Sequence, residues 1–156
     1  MEKPEKLDRD YILNFLENHG MAVLSSVNKM GWPDATPIYF IIKDNFDIFF
    51  ITSTQTQKYI NLNLQKHIML TVVDEETKET AQITGVVDEE KELLNEIFSL
   101  LEERLFKENP KPIIPLMENN GQKTVFKIIV GEINMKRYTK AGLEETKINM
   151  NNTTTN

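Results

Sequence analysis

Short apolar segments recur along this chain at hairpin spacing, and each of them is bounded by turn residues. Segments of this kind are typical of strands in an antiparallel sheet. Pro37 lies inside the second segment, and because proline has no N–H, that strand must follow a sheet edge or contain a bulge. The pattern predicts six strands, at residues 21–27, 34–42, 46–52, 67–74, 79–88 and 123–135.

Other segments have the longer period of a helix. Asp8 is suited to cap the first helix, and Gly20 is suited to end it. Thr54 and Gln57 have the spacing of a capping box at the start of the second helix. The third helix is amphipathic, because its leucine, isoleucine and phenylalanine residues repeat on one face. The three predicted helices are residues 8–19, 54–65 and 90–106.

Six strands with flanking helices predict a mainly β fold, an antiparallel barrel covered by helices. The sequence has no internal repeat and no visible domain boundary. We therefore expect residues 1–148 to form one domain. The polar tail, residues 149–156, is expected to be disordered.

Composition excludes several classes of function. The chain has 156 residues, a net charge of −6 and no cysteine. The negative charge disfavours nucleic acid as a partner, since phosphate backbones require a basic surface. No apolar segment approaches the ~18 residues of a membrane span, and the charged N-terminus does not have the pattern of a signal peptide. The absence of cysteine favours a reducing compartment, so the expected location is the cytoplasm, away from membranes.

The segment of residues 46–74 holds the chemistry that stands out most. A short apolar strand ends in a group of hydroxyl and amide side chains, and Lys58 follows on the first turn of the next helix. Backbone N–H groups at a helix start, hydroxyls and one cation together form a cradle for a phosphate group. The pattern therefore predicts a phosphorylated ligand.

Three motifs extend this prediction to a family. They are MAVLSSVNKMGWPDATPIYFI, FFITSTQTQKYINLNLQKHIMLTV and AQITGVVDEE, which lie in order between residues 21 and 90. Their order and spacing resemble the FMN-binding split β-barrel family, which includes pyridoxamine 5′-phosphate oxidase. The resemblance implies a six-stranded antiparallel split barrel with Greek-key connections, and it implies FMN, or a deazaflavin coenzyme, as the cofactor.

The same resemblance implies roles for individual residues. Thr52, Thr56 and Lys58 match the positions that hold the FMN phosphate, next to Ile51, Ser53 and Gln57, and Asn61 and Leu62 match the pair that follows. The residues expected along the edge of the flavin ring are Thr36, Pro37, Ile38 and Tyr39 on one strand, and Thr80 and Gln82 on another. Gln57 stands where enzymes of the oxidase group have an arginine, so the cradle has one positive charge fewer.

The resemblance does not include the substrate-binding residues of the enzyme. True pyridoxamine phosphate oxidases have a C-terminal Arg-x-His pair, whereas Arg137 of this chain is followed by no histidine. We therefore expect the flavin site of the family without the substrate site of that enzyme. Haem, which some relatives bind through a histidine, is disfavoured because only His19 and His67 are available. The family also implies a homodimer with the flavin at its interface, and the loop of residues 107–121 is the candidate for substrate contacts.

Each assignment has a plain structural alternative. Lys58 is equally typical of a solvated helix surface, and the hydroxyls of residues 52–56 are also typical of helix caps. Trp32 fits a turn residue at the barrel mouth, and the phenylalanines at 46, 49 and 50 fit the core or a subunit interface. No catalytic residue and no metal site follow from spacing. Three functions stay open: a flavin-dependent oxidoreductase, a flavin or deazaflavin carrier, and a barrel without a ligand that serves interactions.

Overall fold

In a computed structural model that describes residues 5–108 and 121–150, the strands form one antiparallel sheet. The strands are β1 (Met21–Val27), β2 (Pro33–Tyr39), β3 (Ile41–Ile42), β4 (Ile48–Ser53), β5 (His67–Asp74), β6 (Glu79–Glu89), β7 (Lys123–Thr139) and β8 (Gly142–Asn149). The helices are α1 (Arg9–Glu17), α2 (Gln57–Leu64) and α3 (Leu94–Glu108), and a 3-10 turn (Lys91–Leu93) precedes α3.

The order of the strands shows how the sheet closes. It runs β2-β1-β5-β6-β7-β4-β3, with β8 added to β7. The two end strands, β2 and β3, are consecutive along the chain and only Phe40 separates them. The sheet must therefore curl until its ends meet, which confirms the predicted split barrel. Strand β4 lies beside β7, at the far side of the β5–β7 meander, and this is a Greek-key connection.

The prediction of six strands is wrong in two places. The predicted strand 34–42 is divided at Phe40, which is fully buried and donates its N–H to Gly20 O at 3.2 Å. Pro37 lies in β2, which pairs only with β1, so its expected place at an edge is correct. Strand β8 was not predicted, because it is polar and half-exposed and is held by its ladder to β7.

The core fills the inside of the barrel. Leu24, Leu70, Ile83 and Ile133 are cross-strand partners in one row, and all four are fully buried. Helix α3 covers the outer side of β4 and β7, where Ile97 and Leu101 join a second apolar cluster. The phenylalanines at 46, 49 and 50 are all buried, in agreement with their assignment to the core. Trp32, by contrast, is 68% exposed in the β1–β2 turn.

Helix α1 is fixed at both ends. Its N-cap is Asp8, as predicted, whose carboxylate accepts the N–H of Tyr11 at 2.9 Å. The helix ends at Asn18, before the expected Gly20. The Arg104 guanidinium of α3 donates to backbone carbonyls of Leu16, Glu17, His19 and Phe40. This one side chain therefore joins α1, α3 and the junction between β2 and β3.

The C-terminal part of the chain is ordered through Met150. Arg137 is 8% exposed, and it pairs with Glu144 at 2.8 Å and lies 4.0 Å from Glu79. Asn149, where the predicted tail begins, is the last residue of β8, and Met150 packs against the core. The rest of the tail and most of the loop 107–121 lie outside the described residues. No helix in the described part of the chain has the length and apolar character required to cross a membrane.

Candidate cofactor-binding site

A tight turn connects the end of β4 to the start of α2. Thr56 is the N-cap of α2, because its hydroxyl accepts the N–H of Tyr59 at 3.2 Å and donates to Ser53 O at 2.9 Å. The capping box predicted at Thr54 and Gln57 is therefore wrong by two residues. The helix starts later than expected, at Gln57, because the chain first turns through residues 54–56.

The hydroxyls of the predicted cradle bind one another. Thr52 Oγ1 lies 3.0 Å from Thr56 Oγ1. Since the proton of Thr56 goes to Ser53 O, Thr52 is the donor in this pair. Ser53 Oγ accepts the N–H of Gln55 at 3.3 Å. These hydroxyls shape the turn, and the Thr52 hydroxyl must rotate before it donates to a ligand.

Lys58 is the unusual residue of this region. Its side chain is on the inner face of α2 and the residue is only 8% exposed. Within residues 5–108 and 121–150, no hydrogen bond reaches its ammonium and no carboxylate lies within 4.0 Å. Burial lowers the pKa of Lys58, and the charge of Asp34 opposes this effect in part. The assignment of Lys58 as a solvated surface residue is therefore wrong.

Asn61 connects α2 to the β1–β2 hairpin. Its amide nitrogen donates to Ser26 Oγ at 3.2 Å and to Asp34 Oδ2 at 3.1 Å. Its amide oxygen accepts from Gln57 Nε2 at 2.8 Å, so the Gln57 side chain lies along its own helix. Ser26 and Asp34 were not predicted as site residues. The sequence has no local signal for this contact, because the hairpin that pairs Ser26 with Asp34 meets Asn61 only in the folded chain.

A second hydroxyl pair lies beside the cradle. Thr124 is fully buried and is the cross-strand partner of Thr52. Its hydroxyl donates to Glu89 Oε2 at 2.8 Å, and the Tyr59 hydroxyl donates to Glu89 Oε1 at 3.2 Å. Glu89 thus ties α2 to β6 and β7. The sequence did not reveal this contact, because the three residues come from distant parts of the chain.

The predicted ring residues are divided between two faces of the sheet. Thr36 and Ile38 pair with the buried Leu24 and Ala22, and therefore lie on the inner face. Pro37 and Tyr39 alternate with them and lie on the outer face.

Thr80 and Gln82 also belong to the outer face, on β6. The register runs from Pro37 to Val23, Thr71 and Gln82, so Pro37 and Gln82 are three strand intervals, roughly 14 Å, apart. Ile51, another predicted site residue, packs under α3. One chain therefore brings together the residues predicted to hold the phosphate, but it keeps the predicted ring residues of β2 and β6 apart.

The two histidines are placed away from the cradle. His19 has Phe15 O at 2.6 Å from Nδ1 and Asp74 Oδ2 at 2.9 Å from Nε2. His67 is exposed, with Gln65 Oε1 at 2.8 Å from Nδ1. In the described part of the chain, no three histidine or carboxylate residues are grouped to hold a metal ion.

The profile of the pyridoxamine 5′-phosphate oxidase family matches residues 9–137. The chain belongs to this family. The match confirms the resemblance that was based on three motifs, and it extends that resemblance over α1, α3 and most of β7. No curated protein sequence matches significantly.

Solved structures of the same fold have different ligands in their names. A pyridoxamine 5′-phosphate oxidase-related, FMN-binding protein from Nostoc punctiforme has a TM-score of 0.66 at 14% identity, with 94% of this chain and 98% of that chain covered. An F420 reductase has a TM-score of 0.64 at 17% identity, with 77% and 93% covered. The haem-storage protein HutZ from Vibrio cholerae has a TM-score of 0.61 at 14% identity, with 90% and 93% covered. At these identities the likeness concerns the fold, and the residues of each chain must select its ligand.

Proposed function

We propose that this protein binds FMN and acts as a flavin-dependent oxidoreductase. The observation that carries the proposal is Lys58, which is only 8% exposed at the start of α2 and whose ammonium has no anionic partner in direct contact among the described residues. A buried cation is costly unless it is paired. A phosphate at this helix start supplies the negative charge that Lys58 lacks as a partner. It also accepts hydrogen bonds from the free N–H groups of the first turn.

The residues around Lys58 fit a phosphate group. Thr52 is buried beside the ammonium-bearing helix, and its hydroxyl donates to a ligand after one rotation. Asn61 and Gln57 stiffen the inner face of α2 through their hydrogen bond. A bound flavin supplies the redox chemistry itself, and the protein then binds and orients it. Because the flavin carries the redox chemistry, the protein needs no catalytic side chain of its own. This agrees with the sequence, in which the spacing of residues assigns none.

A homodimer with the flavin at its interface is part of the same proposal. The outer face of β1 and β5 exposes Met21, Val23, Met69 and Val73, between 37% and 60% each. Exposed apolar positions on adjacent strands are typical of a surface that a partner covers. The separation of β2 and β6 supports this proposal, because a second chain at the interface can supply one of the two sets of ring residues. Sedimentation that detects only monomers at micromolar concentration would contradict the dimer.

The test of cofactor binding is a titration of the purified protein with FMN, monitored by flavin fluorescence. Riboflavin, which has the same ring system without the phosphate, is the control ligand. At pH 5.5 we expect FMN to bind at least about tenfold more tightly than riboflavin, since a charge-assisted hydrogen bond contributes about 1.5–3 kcal/mol. Equal affinity for the two flavins, or no binding of FMN, would refute the phosphate site.

The test of turnover is separate. Once FMN is bound, reduction of the protein by NADH or NADPH is followed at the flavin absorbance near ~450 nm, which is a property of the cofactor. Bleaching at a rate well above that of free FMN supports the oxidoreductase. Bound FMN that neither nucleotide reduces supports a flavin carrier. A reducing, cytoplasmic location stays a prediction from the absence of cysteine.

A further inference from the structure

Asp34 places a carboxylate at the phosphate cradle. Its Oδ2 accepts from Asn61 Nδ2 at 3.1 Å, and Asn61 is one helical turn after Lys58 on the buried face of α2. Asp34 pairs across the β1–β2 hairpin with the buried Ser26, so it lies on the inner face of the sheet. The negative charge of this carboxylate raises the pKa of Lys58, although the two groups are farther apart than an ion pair.

The other groups around the cradle do not change the balance between the positive charge of Lys58 and the negative charge of Asp34. Gln57, on α2, is neutral, and its amide nitrogen is bound to Asn61. Glu89 of β6 accepts from the hydroxyls of Tyr59 and Thr124, and its carboxylate is paired with the Lys91 ammonium at 3.7 Å. At the start of β7, Lys123 is the cross-strand partner of Ser53, on the side away from Thr52. A phosphate in the cradle therefore meets one cation and one anion.

We propose that Asp34 is a specificity-determining residue that makes this cradle select a phosphate group with one negative charge over a phosphate with two. The ligand class is a flavin whose phosphate is esterified on both sides, or a phosphate monoester in its singly protonated form. This inference rests on the proposed flavin site. A like charge disfavours the second ionisation of the phosphate, as it does for two carboxylates that share one site.

The proposal has a consequence for pH. A phosphate monoester loses its second proton near pH 6, whereas a diester has no second proton to lose. If the cradle accepts only the monoanion, FMN affinity falls by up to about tenfold for each pH unit above about 6. The affinity for a flavin phosphodiester stays constant over the same range.

The experiment compares FMN with its methyl ester, riboflavin 5′-methyl phosphate, from pH 5.5 to pH 8.5. The proteins are the wild type, Asp34→Asn, and Asp44→Asn as a control that removes the same charge from an exposed turn. In the wild type and in the control, we expect the methyl ester to bind more tightly than FMN at pH 8, with the FMN curve falling with pH. In Asp34→Asn, the FMN curve should flatten and FMN should bind at least as tightly as the ester.

Other outcomes distinguish a failure of the role of Asp34 from a failure of the flavin phosphate site. A wild type that prefers FMN to the methyl ester at pH 8 overturns the role of Asp34, as does an Asp34→Asn variant that binds both flavins more weakly. Riboflavin affinity equal to that of both phosphates refutes the flavin phosphate site itself.

A second variant tests the charge balance without removing Asp34. Gln57→Arg adds a cation beside Lys58 and should shift the preference toward FMN at pH 8, by about tenfold or more. The selectivity of this variant decides the question if Asp34→Asn does not fold. An unchanged ratio of FMN to methyl ester affinity in Gln57→Arg contradicts the proposal.

Discussion

Replacement of Lys58 by methionine should stabilise the free protein and weaken FMN binding at the same time. Methionine keeps the length and most of the apolar surface of lysine but removes the charge. The residue is 8% exposed and its ammonium has no direct ion pair among the described residues. The charge therefore destabilises the folded protein until an anion binds. Asp34 offsets this destabilisation only in part, since burial lowers the pKa of Lys58 by more than Asp34 raises it.

The magnitude follows from what the substitution removes. Replacing a buried ion pair by apolar residues of similar volume is often neutral or stabilises a protein by about 1–4 kcal/mol. We expect a value near the lower end, about 1–2 kcal/mol, because Asp34 compensates in part. That gain corresponds to a rise in Tm of about 2–8 °C for a chain of this size. Loss of one charge-assisted hydrogen bond to the phosphate should weaken FMN binding by about 10- to 150-fold.

The dependence on pH gives an independent check. A lysine whose pKa is lower in the folded state than in the unfolded state loses its proton at a lower pH in the folded protein. The unfolded state then binds more protons in the interval between the two pKa values, so stability rises with pH there. The stability of the wild type should therefore approach that of Lys58→Met as the pH rises toward the ordinary titration range of lysine, near ~10.

The assay is chemical denaturation of the free protein, combined with FMN titration of each variant. Lys66→Met, at an exposed position after α2, is the matched control and should leave FMN affinity unchanged. Tight FMN binding by Lys58→Met would show that the lysine does not hold the phosphate. A variant less stable than the wild type would show that the ammonium has a structural partner, and the reasoning from its burial would then fail.

Two further predictions concern the scaffold around the site. A Cβ on Gly121 would lie 2.2 Å from Ser53 Oγ, so Gly121→Ala should displace that hydroxyl, cost about 1–3 kcal/mol in the free energy of unfolding and weaken FMN binding. The double variant Gly121→Ala/Ser53→Ala should recover much of the loss, and purely additive effects would contradict the contact. Arg104→Ala should cost about 2–4 kcal/mol, because four backbone carbonyls lose the hydrogen bond from its guanidinium. Urea denaturation measures this loss, with the exposed Glu102→Ala as the control.

The sequence predicted the elements better than their boundaries. The first strand, residues 21–27, and the strand of residues 67–74 were located without error. Both are internal strands, and each is a short apolar run bounded by turn residues, which is the signal that predicted them. Strand β8 was missed because an edge strand with polar residues on both faces has no such apolar run, and its ladder to β7 holds it in place.

The cofactor site shows the same division. Lys58 and Asn61 could be predicted from the sequence because the candidate phosphate motif is local, within one strand, one turn and one helix. Asp34 was missed as a partner of that motif, since it comes from a hairpin 27 residues away from Asn61 and meets it only when the barrel closes. The role of Thr56 as N-cap depended on where α2 starts, and helix boundaries are the least certain part of any pattern.

The sequence by itself determined the class of the fold, the family and the position of the phosphate motif, because these depend on local period and on the order of short segments. The tertiary structure decided that Lys58 is buried, that Asp34 shares its site, and that the ring residues of β2 and β6 lie apart on the sheet. These properties depend on the closure of the barrel, which places residues from distant strands around one charge. The strength and the sign of an electrostatic interaction are set by burial and by neighbours, and only the folded chain supplies both.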